Sequence, residues 1–357
     1  MPLDLQQNVP PAPLTTLELG GPARALARLS SEQELPEALA RARAARMPLR
    51  VLGGGSNVVF ADAGYEGLIL QMAIRGVSRR REGERILVEA AAGEPWDRFV
   101  EQTVQEGLAG LECLSGIPGQ VGATPIQNVG AYGQEVSDTL HSMRVMRQED
   151  GLIERWGAER AELGYRTSLF KRHPGAWIVL SVTFALRPGG APTLRYPELR
   201  RALPAGADLR ATRASILALR RAKSMILDPA DENRRSAGSF FTNPIVSEAE
   251  AEAVIARALS ASLVDDPSEL PRYPAGPGRI KLAAGWLIER SGLSKGMRRG
   301  AFGLSSRHAL ALVHHGGGTS AGLLAFARDV QDAVLERFGL ALELEPELLG
   351  FSEPPIG

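Results

Sequence analysis

The sequence predicts a mixed α/β (α+β) protein of two or three domains. Segments with the helical spacing of apolar residues alternate along the chain with short apolar segments typical of strands. The 357 residues exceed the usual size of one domain, which is about 150 residues. Two glycine-bearing loops interrupt the alternation, and loops are where binding residues concentrate.

Three contiguous segments are predicted, with boundaries after residues 75 and 225. In residues 1–75, SSEQELPEALARARAARMP has helical spacing and VLGGGSNVVFADAGYEGLIL reads as strand, glycine loop and strand. Residues 76–225 start with the strand ILVEAAAG and the helix EPWDRFVEQTVQEG. They continue with a hairpin signalled by Asp150-Gly151, the strand WIVLSVTFAL and the helix ATRASILALRRAKSM.

Residues 226–357 form the third predicted segment. SEAEAEAVIARAL and KLAAGWLIERSG are expected to be helical, and ALALVHH is expected to be a strand. A last helix, TSAGLLAFARDVQDAVLERFG, should start at the cap Thr319 and end at Gly339. Its apolar face comprises Leu323, Ala327, Val330, Val334 and Phe338.

Composition argues against several classes of function. The chain has 41 Lys and Arg and 41 Asp and Glu residues, so no overall basic field exists to hold a nucleic acid. The single cysteine, Cys113, cannot form an internal disulfide, its apolar neighbours predict an unreactive thiol, and no Cys or His residues have metal-site spacing. The N-terminal residues lack the pattern of a signal peptide, and no apolar run is long enough for a membrane span. We expect a cytoplasmic monomer without metal, membrane or nucleic-acid partners.

The first candidate site is a glycine run between two predicted strands. It consists of Gly53, Gly54, Gly55, Ser56 and Asn57. Consecutive glycines leave backbone N–H groups accessible to a pyrophosphate, and the hydroxyl and amide side chains could add contacts. The run is neither a Rossmann fingerprint nor a P-loop, because lysine is absent and a strand follows. A simple tight turn is the alternative interpretation.

A second candidate site is the loop 115–137. It has glycines at positions 116, 119, 122, 130 and 133 and almost no charge, and it is long for a loop without a function. Its bare apolar backbone suits a large planar ligand, whose polar edge Thr124, Gln127 and Asn128 could meet. The alternative is an Ω-loop packed on itself. Together the two loops fit a ligand as long as FAD.

A third candidate is Ser239, which lies between a glycine and two phenylalanines in NRRSAGSFFTNP. No GxSxG motif surrounds it, so it is not predicted to be an acyl-transfer nucleophile. It could donate a proton, or it could cap a turn.

Six sequence blocks closely resemble those of the UDP-N-acetylenolpyruvoylglucosamine reductase (MurB) family, in the family's order and over nearly the whole chain. The blocks are GGGSN at 53–57, GIPGQVGATPIQNVGAYG at 116–133, GYRTSLFK at 164–171, AGSFFTNP at 237–244, KLAAGWLIERSGL at 281–293 and LEPEL at 344–348. The segment TLRYPEL at 193–199 is similar to the tyrosine-bearing insertion of the family's long form.

The resemblance implies an FAD-dependent oxidoreductase of peptidoglycan precursor synthesis. The family reduces UDP-N-acetyl-3-O-(1-carboxyvinyl)-glucosamine to UDP-N-acetylmuramate, with non-covalent FAD and with NADPH as co-substrate. The implied fold has two FAD-binding subdomains of the vanillyl-alcohol-oxidase type, here 1–75 and 76–225. A substrate-binding α/β domain follows, here 226–357. The UDP-sugar and NADPH are therefore the expected partners.

The family's functional positions carry over to individual residues of this chain. The implied catalytic residues are Arg166, Ser239 and Glu347. The implied substrate-binding residues are Tyr132, Tyr196, Lys223 and Asn243, of which Tyr196 and Lys223 face the pyrophosphate. The implied FAD-binding residues are Gly53, Gly54, Gly55, Ser56, Asn57, Ile117, Pro118, Gly119, Gly122, Ala123, Ile126, Gln127, Asn128, Gly130 and Ala131.

The implied chemistry gives each catalytic side chain a role. Hydride from the flavin N5 reaches C3 of the enolpyruvyl group, Arg166 and Glu347 stabilise the enolate-like intermediate, and Ser239 protonates C2. Glu347 must be neutral, or act through a donor, to stabilise an anion. From local sequence alone, Arg166 could instead form a surface ion pair and Glu347 could be an edge-strand carboxylate.

Two other functions stay open from the residues alone. An FAD oxidase of the same fold acting on an alcohol would need a base but no proton donor at AGSFF. A non-catalytic nucleotide-binding module would explain only the glycine loops. The chain also departs from the family directly after Glu347, where Leu348, Leu349 and Gly350 follow, so different contacts are expected there.

Overall fold

Helices and strands alternate along the chain in the computed structural model, which describes residues 3–352, and the predicted mixed α/β class is confirmed. The helices are α1 (Leu35–Ala44), α2 (Trp96–Gln105), α3 (Leu169–Arg172), α4 (Pro197–Ala202), α5 (Leu209–Ala222), α6 (Glu248–Ser260), α7 (Ala284–Arg290) and α8 (Ser320–Phe338). The strands are β1 (Leu5–Val9), β2 (Ala23–Leu29), β3 (Leu49–Leu52), β4 (Val58–Phe60), β5 (Tyr65–Met72), β6 (Val77–Glu82), β7 (Arg85–Ala91), β8 (Leu108–Ala109), β9 (Gly130–Ala131), β10 (Gln134–Glu135), β11 (Leu140–Arg147), β12 (Ile153–Gly157), β13 (Trp177–Pro188), β14 (Ile245–Ser247), β15 (Arg272–Pro274), β16 (Arg279–Leu282), β17 (Arg298–Arg299), β18 (Phe302–Leu304), β19 (Leu312–His314) and β20 (Glu347–Leu349).

These elements group into two compact units. Among the described residues, the first unit comprises 3–9, 23–55 and 65–227, and the second comprises 10–22, 56–64 and 228–352. The predicted segments 1–75 and 76–225 both contribute to the first unit, and the finer division between them stays a prediction. The assignment of 10–22 and 56–64 to the second unit has no local sequence signal, because it depends on partners distant in the chain.

Two sheets organise the first unit. In the four-stranded sheet, with the order β1-β2-β5-β3, strands β2, β5 and β3 are parallel and β1 is an antiparallel edge. The other sheet has the order β12-β11-β13-β7-β6 and is antiparallel throughout, with β8 pairing the end of β13. The buried face of α1 joins the core of the four-stranded sheet through Leu35, Ala38, Leu39 and Ala42.

Helix α2 is fixed to the antiparallel sheet by a cluster of aromatic rings. Trp96 and Phe99 of α2 and Phe184 of β13 are fully buried, and their ring centroids lie 5.5–5.9 Å apart. Large aromatic side chains contribute most of the burial energy in such contacts. The first turn of α2 therefore has a rigid position, from which Asp97 reaches the loop 115–137.

The second unit contains three small sheets with three helices. The sheets are β14-β16-β15, β17-β18-β19 and the parallel pair β20-β4. Both predicted caps of α8 are confirmed, because the Thr319 hydroxyl accepts a hydrogen bond from the Gly322 N–H and Gly339 is left-handed with a φ of 67°. The predicted apolar face is also confirmed by the burial of Leu323, Ala327, Val330, Val334 and Phe338.

Two local predictions have different outcomes. The hairpin at Asp150-Gly151 is confirmed, because β11 and β12 pair antiparallel on its two sides. The helix predicted for KLAAGWLIERSG was wrong at its start, since Lys281 and Leu282 belong to β16 and α7 begins at Ala284. Pairing of β16 with β14 and β15 overrides the helical spacing at these two positions.

Candidate active site

The two predicted glycine loops contact each other in the first unit. A Cβ atom at Gly54 would lie 2.8 Å from the Cα of Gly119, which is closer than real Cβ contacts. A Cβ at Gly53 would lie 3.4 Å from the side-chain oxygen of Gln120, an ordinary contact. Gly55 is left-handed, with a φ of 64°. The loops thus meet backbone to backbone, and position 54 accepts only glycine in this arrangement.

Close packing also fastens the loop 115–137 to the antiparallel sheet. The Gly119 carbonyl accepts a hydrogen bond from the Trp96 N–H (3.1 Å), and the Gly122 N–H donates to the Ala92 carbonyl (2.9 Å). A Cβ at Gly122 would lie 2.5 Å from the Cβ of Ala92. Some loop glycines are therefore required by packing, in addition to any contact with a ligand.

Asp97, in the first turn of α2, joins this loop to α5. Its Oδ1 accepts hydrogen bonds from the Gly116 N–H (2.5 Å) and from Arg213 (2.5 Å), and its Oδ2 accepts a second one from Arg213 (2.9 Å). Burial raises the pKa of Asp97, but the hydrogen bonds from Arg213 and the Gly116 N–H outweigh burial and lower it. The charged carboxylate therefore fixes the start of the loop.

Asn128 stabilises the second half of the loop from inside. It is buried and left-handed, with a φ of 47°. Its amide group donates to Glu135 Oε2 (2.8 Å) and to the Gly164 carbonyl (3.2 Å), and its Oδ1 accepts from the Ser137 N–H (3.0 Å). The side chain is thus engaged within the protein, and an FAD contact at this position stays a prediction for its backbone.

Arg166 lies at the tip of a tight hairpin and reaches the loop 115–137. Gly164 and Thr167 exchange two backbone hydrogen bonds across the hairpin, and Arg166 is left-handed with a φ of 52°. Its guanidinium donates to the carbonyl oxygens of Asn128 (3.3 Å) and Gly130 (2.9 Å). These two hydrogen bonds orient the guanidinium on the loop. The structure therefore brings a predicted catalytic residue to a predicted FAD loop.

Tyr132 and Tyr196, both predicted to bind the substrate, lie edge to face. Their ring centroids are 5.5 Å apart and their planes make an angle of 89°. Burial raises the pKa of Tyr132 to about 12, against the opposing charge of Arg220. The Tyr132 hydroxyl is therefore protonated in the neutral pH range and can donate a hydrogen bond.

Lys223, the C-cap of α5, forms an ion pair with a residue that the sequence did not single out. Its Nζ donates to Glu198 Oε2 at 2.6 Å, and Glu198 lies in the first turn of α4, two residues after Tyr196. Arg220 lies one turn before Lys223, and a Cβ atom at Gly116 would lie 3.3 Å from its Nε. Burial lowers the pKa of Arg220. The Arg220 Nε has no hydrogen-bond partner among residues 3–352. We call Tyr132, Tyr196, Glu198, Arg220 and Lys223 the tyrosine–lysine cluster.

Thr193 anchors the segment that carries Tyr196. The Thr193 N–H donates to the buried Glu112 carboxylate (2.7 Å), the Cys113 thiol donates to the Thr193 carbonyl (3.1 Å), and the Gln134 amide donates to the Thr193 hydroxyl (3.2 Å). Burial, assisted by Glu112, raises the pKa of the Cys113 thiol, in agreement with its predicted low reactivity.

Ser239 lies in a segment of the second unit that is hydrogen-bonded to two other segments, one containing Leu310 and one containing Glu345. The Phe240 N–H donates to the Leu310 carbonyl (2.8 Å), and the Phe240 carbonyl accepts from the Glu345 N–H (3.0 Å). Phe240 is fully buried, whereas Ser239 is half-buried and follows the left-handed Gly238, with a φ of 72°. The burial and the hydrogen bonds of Phe240 therefore fix the backbone next to Ser239.

Glu347 is the first residue of β20 and is exposed. Its N–H donates to the Asn57 carbonyl (3.1 Å), and the Asn57 amide group donates to the Glu345 carbonyl (3.3 Å). Glu345 also contacts Phe240, so Ser239 and Glu347 lie on segments that are hydrogen-bonded to each other. Beyond Glu347, the Leu349 carbonyl accepts from the Ala61 N–H (2.8 Å).

Asn243, predicted to bind the substrate, has a structural contact at the start of α7. Its Oδ1 accepts a hydrogen bond from the N–H of Ala284 at 2.9 Å. An amide oxygen in this place satisfies one of the N–H groups that the start of a helix leaves unpaired. A substrate contact of Asn243 stays a prediction.

Four charged residues of the first unit were missed by the sequence reasoning. Glu198 had a signal, because it lies in the quoted TLRYPEL segment, and Arg220 shares a helix face with Lys223 at the spacing i, i+3. Asp97 and Glu112 had none, since their partners Arg213 and Thr193 are distant in the chain.

The loop residues fit an elongated planar cofactor such as FAD. The glycine run at 53–55 presents bare backbone beside Gly119, and the apolar side chain of Ile126 is 40% exposed on the loop 115–137. Among residues 3–352, no group of three or more His, Cys, Asp and Glu side chains could hold a metal ion. In the same part of the chain, no helix is both long and apolar enough to cross a bilayer.

Two family models match this chain. The model for the UDP-N-acetylenolpyruvoylglucosamine reductase C-terminal domain matches residues 228–349, and the model for an FAD binding domain matches residues 23–157. The second model covers both Gly54 and Gly119, and the first covers Ser239 and Glu347. The predicted fold class, with an FAD-binding part followed by a C-terminal domain, is confirmed, whereas substrate binding by the C-terminal domain stays a prediction.

Full-length relatives carry the same description. The UDP-N-acetylenolpyruvoylglucosamine reductase of Saccharopolyspora erythraea is 47% identical over 95% of this chain and 94% of its own length. That of Thermobifida fusca is 43% identical over 98% and 99%. Among solved structures, the Thermus caldophilus enzyme (MurB) is similar with a TM-score of 0.65 and 26% identity, over 98% of this chain and 99% of that one.

Proposed function

Because this chain belongs to the UDP-N-acetylenolpyruvoylglucosamine reductase (MurB) family, we propose that it reduces UDP-N-acetyl-3-O-(1-carboxyvinyl)-glucosamine to UDP-N-acetylmuramate. It is an FAD-dependent oxidoreductase of peptidoglycan precursor synthesis. The observation that carries this conclusion is the 47% identity to one such enzyme over 95% of the chain. NADPH is the proposed co-substrate, the cytoplasm the proposed compartment, and a monomer the proposed acting form.

The two glycine loops are the proposed binding site of FAD. The backbone N–H groups of Gly53, Gly54 and Gly55 would bind its pyrophosphate, and the loop 115–137 would lie along its ring system. Neither loop contains a histidine or cysteine that could tether the flavin, so the cofactor is proposed to be non-covalent. Bound FAD supplies the hydride that adds to C3 of the enolpyruvyl group.

Arg166 and Glu347 are the proposed stabilisers of the negative charge that develops on the substrate. Hydrogen bonds to two carbonyl oxygens orient the Arg166 guanidinium, whose positive charge would stabilise an anion. Removing one pre-oriented donor of this kind typically slows an enzyme by about 10²–10³-fold. Glu347 stabilises an anion when its carboxyl group is protonated, or when it acts through another group that donates a hydrogen bond to the substrate.

Ser239 is the proposed proton donor to C2. A serine hydroxyl is a weak acid, but a carbanionic carbon is basic enough to take its proton when the oxygen is stabilised afterwards. The hydrogen bonds of Phe240 hold the Ser239 backbone in place. Hydride at C3 and a proton at C2 together add two hydrogens across the double bond, which accounts for the lactyl ether of the product.

The product identifies the reaction. Without oxygen, purified holoenzyme should oxidise more than one equivalent of NADPH per flavin only when the enolpyruvyl UDP-sugar is present, and mass spectrometry should show a product heavier by two hydrogens. Arg166→Lys should lower kcat by about 10²-fold or more, because it loses the fork geometry. The control Arg147→Lys, at an exposed ion pair with Asp150, should not. Anaerobic NADPH oxidation that continues beyond one equivalent per flavin without the UDP-sugar would contradict the proposal.

A further inference from the structure

In the tyrosine–lysine cluster, Lys223, the residue implied to bind the pyrophosphate of the UDP-sugar, is already paired with the carboxylate of Glu198. Lys223 Nζ lies 2.6 Å from Glu198 Oε2, and the two side chains are 31% and 35% exposed. Glu198 stands in the first turn of α4 and Lys223 at the C-terminal end of α5, so each charge is also favoured by its helix dipole. The Glu198 carboxylate therefore partly neutralises the ammonium charge that would attract a phosphate group.

The rest of the cluster is suited to an anion that carries more charge than one carboxylate. The Tyr132 hydroxyl is protonated and can donate, and Arg220 places a second positive charge near it. Lys223 and Arg220 supply two positive charges, whereas Glu198 supplies one negative charge. A pyrophosphate, with two negative charges, would match these cations once Glu198 has moved away.

Glu198 can leave Lys223 without unfolding its surroundings. Leu199, the next residue, is fully buried, and Thr193 is anchored by Glu112, Cys113 and Gln134, so the backbone of this segment is fixed at both places. The Glu198 carboxylate is partly exposed, and ion pairs of this kind contribute little free energy. Rotation of the Glu198 side chain into solvent is therefore enough to release the ammonium group.

We propose that Glu198 is an internal counter-ion of Lys223, which the pyrophosphate of the UDP-sugar must displace in order to bind. Glu198 thus lowers the affinity of the site and selects for ligands whose anionic charge exceeds that of a carboxylate. This inference rests on the proposed function, and within it we propose that Lys223 binds the pyrophosphate of the UDP-sugar, the role that the family resemblance implies.

The test is a titration of oxidised holoenzyme with uridine diphosphate and with the enolpyruvyl UDP-sugar, for the wild type and for Glu198→Gln, Lys223→Ala and the double variant. Glu198→Gln keeps the size of the side chain and removes its charge. It should tighten binding by about fivefold, which corresponds to the interaction of two unit charges a few ångströms apart in water. The gain should shrink at high salt and in the Lys223→Ala background.

FAD content and a variant at another exposed ion pair serve as controls for the titration. FAD content should be equal in all variants, and Glu106→Gln, which removes the partner of Arg79 in another exposed ion pair, should bind both ligands like the wild type. If Lys223→Ala weakens binding but Glu198→Gln weakens it or leaves it unchanged, Glu198 orients Lys223, and the counter-ion proposal is overturned while the proposed function stands. If Lys223→Ala does not weaken binding, the assignment of the pyrophosphate to Lys223 is itself overturned.

Discussion

Gly54 and Gly119 approach each other so closely that a Cβ atom at Gly54 would lie 2.8 Å from the Gly119 Cα. One glycine follows β3 of the parallel sheet and the other follows α2, more than sixty residues later in the chain. Their contact joins the two glycine loops into one surface of bare backbone. This relationship explains why position 54 needs glycine, even before any cofactor is considered.

Gly54→Ala should weaken FAD binding. Overpacking at a tight contact costs about 1–3 kcal/mol, and if the loops must separate to relieve it, the dissociation constant of FAD should rise by about tenfold or more. The measurement is a fluorescence titration of apoprotein with FAD. Gly285→Ala is the matched control, because a Cβ there meets no atom closer than 3.7 Å. Equal FAD affinities in both variants would show that the contact does not limit the site.

Asp97→Asn should change the acid stability of the protein. Because the pKa of Asp97 is lowered in the folded state, its contribution is present above its usual pKa of about 3.9 and is lost as the pH falls through the folded value. The variant should be less stable at neutral pH by about 1 kcal/mol, a value discounted because the carboxylate is 39% exposed, and less pH-dependent below about pH 4.

Urea unfolding of both proteins across the acid range measures this effect. Asp332→Asn, at an exposed position of α8, should reproduce the wild-type pH profile. If the free energy of unfolding depends on pH in the same way for the wild type and Asp97→Asn, the Asp97 carboxylate does not stabilise the start of the loop 115–137.

Cys113 should react slowly with thiol reagents in the folded protein. Its thiol is fully buried, donates to the Thr193 carbonyl and has a raised pKa, so little thiolate forms near pH 8. We expect modification by an aromatic disulfide reagent to be at least about 100-fold slower than for free cysteine, and to become fast in denaturant. Rapid modification of the folded protein would mean that the segment around Thr193 opens readily.

The elements that the sequence predicted correctly are those with strong local patterns. Helix α8 has an apolar stripe and two capping residues, and β13 is an apolar run bounded by turn signals, so local energetics determine both. Lys281 and Leu282 were assigned wrongly because their strand exists only through pairing with β14 and β15. The position of residues 56–64 in the second unit likewise depends on the pairing of β4 with β20.

In the candidate site, too, the sequence predicts residues that belong to local motifs but not the contacts between distant segments. Motif resemblance selected Tyr132, Tyr196 and Arg166, and the structure places the tyrosines against each other and the arginine on the loop 115–137. Motifs do not specify contacts, however. The internal hydrogen bonds of Asn128 and the pairing of Lys223 with Glu198 join residues that are distant in the chain, so only the folded structure determines them.

We propose that electrons from bound FAD and a proton from Ser239 reduce the enolpyruvyl UDP-sugar. In the decisive measurement, the holoenzyme is reduced with one equivalent of NADPH without oxygen, the UDP-sugar is added, and the flavin absorbance is followed by stopped flow. The wild type should regain its oxidised flavin spectrum within a turnover. Ser239→Ala should be reduced by NADPH at the normal rate and re-oxidised at least about 100-fold more slowly. A wild-type flavin that stays reduced, or a Ser239→Ala variant slowed equally in both steps, would contradict the account.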